Sequence, residues 1–323
     1  MACFRHTITM TTDCSVPIFF DARQCLEHYE DQWAPATGPR RFMAAARQRH
    51  TLLDLHPVIP ATQEDLYLVH DRDYVDGVLA GRRNNGYENT DPSVTDASLW
   101  AVGAMIQAAF HAPTTPYPVC VPVSDFRQAG FAEGGMFSTF NGVAVAAAKF
   151  LLHNPDAVIG ILDFANKRAL GTEDILSRHP RLAERVVFVS SSRDYAGDPQ
   201  NEIEFGEWVE STTEALNQAG CHLVFYLAAV DARAPQKGDV KLSMTGRMLR
   251  DSRVFRKITA PIVWSFAGGA GVRPSEEDEV VRSNCLTLAQ ASQLCGNGYW
   301  HRIRAIGSAH TPGHRSAADR ASR

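Results

Sequence analysis

The residues with chemistry to offer stand directly after short apolar runs. Asp163 ends Ala157-Val158-Ile159-Gly160-Ile161-Leu162, and Ser190 ends Arg185-Val186-Val187-Phe188-Val189. Asp231 comes shortly after His222-Leu223-Val224-Phe225-Tyr226-Leu227-Ala228, and Gly268 after Pro261-Ile262-Val263-Trp264-Ser265-Phe266. A carboxylate at a strand end can ligate a cation, move a proton or accept backbone N–H groups. The last use is the simplest reading of Asp163. Lys167 and Arg168 follow it closely, and Arg233 follows Asp231. Other signals are weak. Gly268-Gly269-Ala270-Gly271 has no Lys-Ser/Thr after it and is no phosphate loop. His310 and His314 are four apart, but Pro312 and Gly313 between them break any helix that could pair them.

The apolar runs are continuous rather than alternating, which predicts strands covered on both faces. A further strand is expected at Val16-Pro17-Ile18-Phe19-Phe20. Helices are expected at 97–111, 142–153, 202–219 and 283–295 from apolar spacing. Alternating strands and helices imply an α/β fold, a parallel sheet with helices on both faces, and ligands at the carboxyl ends of its strands. The chain has 323 residues, 45% hydrophobic and 21% charged, with 32 basic and 36 acidic side chains, a net charge of −4. That balance argues against nucleic-acid binding, and no apolar run reaches membrane-spanning length. The start carries no secretory pattern. Seven scattered cysteines without a C-x-x-C pair fit reduced thiols, so a cytoplasmic location is expected. The division expected is an extension over 1–15, one domain over 16–306 and a flexible tail over 307–323.

Four segments in order resemble the histone deacetylase and acetylpolyamine amidohydrolase family. They are Gly134-Gly135-Met136-Phe137-Ser138-Thr139-Phe140-Asn141-Gly142, Gly160 to Leu176, Ala228-Ala229-Val230-Asp231-Ala232, and Phe266-Ala267-Gly268-Gly269-Ala270. Glu64 to His70 with Tyr74-Val75 is similar to the family's leading helix, and Gly86 to Pro92 to a loop at the pocket rim. The resemblance runs from about Pro17 to Gly271. It implies a three-layer α/β/α arginase/deacetylase-like fold with a mainly parallel sheet of about eight strands.

The resemblance also implies zinc hydrolysis of acetylated amines, and here the residues depart. The first metal Asp falls on Ala165, the metal His on Lys167, and only the last metal Asp is kept, at Asp231. The catalytic His pair falls on Arg127 and Gln128, the orienting Asp on Leu170, the oxyanion Tyr on Ala270 and the pocket Cys on Ser138. One carboxylate cannot make a zinc site that needs three protein ligands. The family's second, monovalent cation would take side-chain ligands from Asp163 and Ser190 and carbonyls from Ala165 and Lys167, so a structural K⁺ or Na⁺ is an open expectation.

The expectation is therefore a pseudo-deacetylase without zinc that binds a small molecule or a protein partner, neither nucleic acid nor membrane, and that could be a homo-oligomer. Its ligand-binding candidates are Asp125, Arg127, Gln128, Ser138, Arg168 and Arg233. The alternative is a repurposed, zinc-independent enzyme of the same fold. It would use Lys167 as nucleophile or base, Asp231 as acid/base and Arg127 as clamp on a small anionic metabolite. Lys167 is expected to ion-pair with Asp231 where the metal would stand. Arg127 could instead pair structurally with Asp125.

Overall fold

The computed structural model describes residues 15–26, 34–48, 53–123, 125–165, 167–196, 201–229, 242–267 and 277–296. Among them are seven strands: β1 (Val16–Phe19), β2 (Leu53–His56), β3 (Val119–Val121), β4 (Ile159–Asp163), β5 (Val186–Ser190), β6 (Leu223–Ala229) and β7 (Ile262–Ala267). They form one sheet in the order β2-β1-β3-β7-β6-β4-β5, and every pairing is parallel. This is close to the eight strands expected. Five of the seven coincide with the apolar runs of the sequence. β2 reads Leu-Asp-Leu-His and β3 only Val-Cys-Val, so neither carries a run long enough to announce itself.

Helices connect the strands: α1 (Ala34–Gln48), α2 (Gln63–Leu66), α3 (Arg72–Leu79), α4 (Pro92–His111), α5 (Gly142–His153), α6 (Leu170–Arg178), α7 (Pro180–Ala183), α8 (Ser191–Asp194), α9 (Glu202–Gln218), α10 (Met244–Lys257) and α11 (Glu277–Gly296). α4 starts five residues before the first expected position because Asp91 caps it and Pro92 suits its first turn. The single leading helix expected over 64–75 is two helices. Thr62 and Asp65 form a capping box on α2, and Asp71 caps α3 after a bend that contains His70. α1 contains Pro39 and α10 is rich in arginine, which masked both from an apolar-spacing search.

β4, β6 and β7 are buried along their whole length, as continuous apolar strands require. β5 departs from that expectation. It is one of the two edge strands among the described residues, and Val186 to Val189 are only half-buried. Trp264, Tyr226, Phe225 and Phe255 fill the core around β6 and β7, with Tyr226 and Phe255 packed edge to face at 5.7 Å. Parallel register sets Asp163 beside Ser190 at the carboxyl end of the sheet. Asp231 and the Gly268 segment lie outside the described residues, as do the 1–14 extension and the 297–323 end. No helix among the described residues is long and apolar enough to cross a membrane.

The approach of α4 to the chain before α2 is set by one glycine. A Cβ at Gly103 would lie 2.0 Å from the carbonyl oxygen of Ile59 and 2.8 Å from the nitrogen of Ala61. Ala61 N–H donates to Leu99 O across the same contact at 2.9 Å. Alanine is the better helix former by roughly 1 kcal/mol, yet backbone cannot yield as a flexible side chain would. Gly103→Ala should destabilise the fold by roughly 1–3 kcal/mol, read as a lower urea midpoint. An unchanged or raised midpoint would show that the contact is loose.

Candidate functional site

β4 ends in Asp163, a fully buried carboxylate. Its Oδ1 accepts the N–H of Ala165 at 2.9 Å, the strand-end use that the sequence suggested. The segment after β3 brings Arg127 to the same place. Arg127 Nε donates to Asp125 Oδ2 at 2.9 Å, and its backbone N–H to Asp125 Oδ1 at 3.0 Å. Nη1 donates to the carbonyl of Lys167 at 2.5 Å and stands 3.6 Å from Asp163 Oδ2. Arg127 is 3% exposed. A planar guanidinium, charged at any physiological pH, thus ties together two carboxylates and the turn that follows β4.

A polar scaffold holds that segment. Thr172 N–H donates to Arg127 O at 3.0 Å, and Phe131 N–H to Asp174 Oδ2 at 2.8 Å, so α6 grips it from one side. A Cβ at Gly171 would lie 2.3 Å from Ala129 O, so this approach demands glycine. Asn141 caps α5 through its Oδ1, which accepts from Ala144 N. Its Nδ2 donates to Ala129 O at 3.1 Å and to Thr172 Oγ1 at 3.0 Å. His70 joins the two parts. The N–H of Asn141 donates to its Nε2 at 3.0 Å, so the ring proton sits on Nδ1 and is donated to Gly130 O at 2.8 Å. His70 therefore lies in a bend between helices rather than within one, with both ring nitrogens used. Just upstream, Gly135 and Ser138 exchange N–H···O bonds of 2.9 Å around Met136 and Phe137, which have φ of 45° and 70°. Two consecutive non-glycine residues in the left-handed region are unusual and mark a tightly determined turn.

The sequence candidates are placed as follows. Asp125, Arg127, Asp163 and the backbone of Lys167 converge. Gln128 Nε2 donates to Arg168 O at 2.8 Å, and the Arg168 guanidinium is exposed and pairs with Glu173. The Lys167 side chain is exposed, which corrects the expectation of a buried amine. The turn after β4 is held through its carbonyl and leaves the side chain to solvent. Ser190 Oγ meets Ser192 Oγ at 3.0 Å. Ser138 is buried, and its Oγ has no hydrogen-bond partner among the described residues. Asp231, Arg233 and Ala270 lie outside the described residues.

Two features were missed by sequence reasoning. A cavity of about 50 Å³ is lined by Gln24, Asp125, Phe126 and Phe140, with Tyr87 and Phe137 among its other walls. At roughly 10–15 Å³ per water it has room for a few waters or a small organic group. Gln24 is buried. Its Oε1 accepts from Asp21 N, and its Nε2 has no hydrogen-bond partner among the described residues. The second feature is a buried arginine pair on α10. Arg250 Nη1 and Arg247 Nη1 approach the carbonyl of Ala229, at the end of β6, at 3.1 and 3.5 Å. Arg250 Nε pairs with Asp251 Oδ1 at 2.9 Å, and Asp251 also accepts from Tyr226 and Thr287 hydroxyls. Burial pushes the Tyr226 hydroxyl well above its ordinary range, which keeps it a donor. The signal was present in the spacing, since Arg247, Arg250, Asp251, Val254 and Phe255 all lie on the buried face of α10.

Ala165 is fully buried and offers only a methyl group, and Lys167 offers a cation at the surface. Among the described residues no three His, Cys, Asp or Glu side chains are grouped to hold a metal. The arrangement at the strand ends is one of buried ion pairs beside a small, partly aromatic cavity.

No family model matches the chain, and no curated protein matches it in sequence. Among solved structures it is similar to the HD domain of HDA15, a histone deacetylase. The TM-score is 0.66 and the identity 15%, over 92% of this chain and 98% of that one. At this identity the likeness is one of fold: the chain has the three-layer α/β/α architecture of the deacetylases.

His70 gives this scaffold a pH dependence. Burial lowers its pKa from 6.5 to about 4. The folded ring stays neutral while the unfolded one takes up a proton below its ordinary pKa. Stability from this residue is thus full above about pH 6.5 and is lost as pH falls toward 4, by roughly 3 kcal/mol. Urea midpoints measured from pH 7 to pH 4 should fall less steeply in His70→Asn than in the wild type. Equal slopes would show that His70 is protonated in the fold.

Proposed function

We propose that this deacetylase-fold chain works without the fold's zinc, as a protein that binds a small molecule or a protein partner at the carboxyl end of its sheet. The observation that carries the reading is Arg127. It stands at a position where the family resemblance expects a catalytic histidine, and it is buried between Asp125, Asp163 and the Lys167 carbonyl. A guanidinium held there neither accepts a proton as a general base nor ligates a metal. The buried methyl of Ala165 points the same way.

The cavity next to Asp125 supports binding of a small molecule. Its aromatic and aliphatic walls suit a short apolar body. Asp125 faces it already paired with Arg127, so it adds polarity with its charge compensated. The alternative, an enzyme that uses Lys167 as nucleophile, loses support. An exposed lysine lacks the desolvation that activates a buried amine.

Elemental analysis of the purified protein should find no stoichiometric zinc, and acetyl-lysine and acetylpolyamine substrates should give no metal-dependent turnover. One zinc per chain that is lost in Asp231→Ala, or turnover abolished by a hydroxamate, would overturn the proposal.

A further inference from the structure

We infer that the Arg127 guanidinium is the resident cation of the strand-end core and takes the place that the family resemblance gives to a monovalent metal ion. That ion would need Asp163, Ser190 and the carbonyls of Ala165 and Lys167 to face one point. The Arg127 guanidinium already stands among these groups. Lys167 O accepts from Arg127 Nη1 at 2.5 Å, and the Asp163 carboxylate takes Ala165 N–H on one oxygen and faces the guanidinium with the other. Ser191 Oγ approaches Ala165 O at 3.4 Å, and Ser190 Oγ meets Ser192 Oγ at 3.0 Å. The guanidinium therefore stands where K⁺ or Na⁺ would need the Lys167 carbonyl and the Asp163 carboxylate.

The substitution has a physical consequence. A metal ion is held by mass action, so its contribution depends on which salt is present and how much. A guanidinium is covalently attached and charged at every accessible pH. The turn after β4 and the segment around Arg127 are thereby fixed to each other whatever the ionic surroundings. This inference stands apart from the zinc proposal. A wild type that responded to K⁺ would refute it and leave the zinc ligand positions as they are.

Thermal melts in KCl, NaCl and choline chloride at equal ionic strength test it. The wild type should melt at one temperature in all three, within about 1 °C. Arg127→Ala should melt lower, and tens of millimolar methylguanidinium should raise its melting temperature while leaving the wild type unchanged. If Arg127→Ala does not fold, the wild-type comparison decides alone. A saturable rise specific to K⁺ or Na⁺ in the wild type, or a folded Arg127→Ala without methylguanidinium rescue, would overturn the assignment.

Discussion

A guanidinium taken out of water must find both charge and hydrogen-bond partners, and the strand-end architecture of this protein is arranged around that requirement for Arg127. Asp125 takes Nε and the backbone N–H, Lys167 gives its carbonyl to Nη1, and Asp163 supplies the second carboxylate. Those partners come from different parts of the chain, the segment after β3 and the turn after β4. The pairing works only if both are held in place. Asn141, His70, Thr172 and Gly171 do the holding, through hydrogen bonds to residues 127–130 and a glycine contact that admits no side chain. Removing one member of a buried ion pair strands the other, so the whole arrangement resists piecemeal change.

The same logic recurs at the end of β6, where Arg247 and Arg250 meet the Ala229 carbonyl and Asp251. In both places arginine donates to a backbone carbonyl and pairs with a buried carboxylate. These two clusters give the carboxyl end of the sheet a fixed polar frame. The small cavity beside Asp125 borders this frame, with a wall of aromatic and aliphatic side chains and a few polar ones. A binding role follows from that combination more directly than an acid/base role does. The charged groups on the frame are already committed to each other.

The fold was largely legible in the sequence because five strands are long apolar runs and four motif segments occur in order. The site was legible in part. Asp125 and Arg127 were placed at the strand ends by the family resemblance, and Asp163 by its position after an apolar run; that the guanidinium and Asp163 meet was not read. The partner that Arg127 finds in the Lys167 carbonyl was not read either, since a backbone group leaves no trace in residue type. Lys167 itself was read as buried because its charge suggested a substitute for a metal, whereas the turn projects it to solvent. Arg247 and Arg250 were overlooked because arginines on a helix are ordinarily solvated. Only their helical spacing with Val254 and Phe255 gives them away. Gln24 carried no pattern at all, being one amide in a short polar stretch.

The central claim is that Arg127 and Asp163 interact directly in the core. A double-mutant cycle on urea stability, with Arg127→Met, Asp163→Asn and the pair together, measures this interaction without reference to any ligand. The account predicts that Arg127→Met alone costs roughly 3–5 kcal/mol, and that the double variant is more stable than the sum of the singles by about 1–3 kcal/mol. Single effects that simply add, to within about 0.5 kcal/mol, would contradict it.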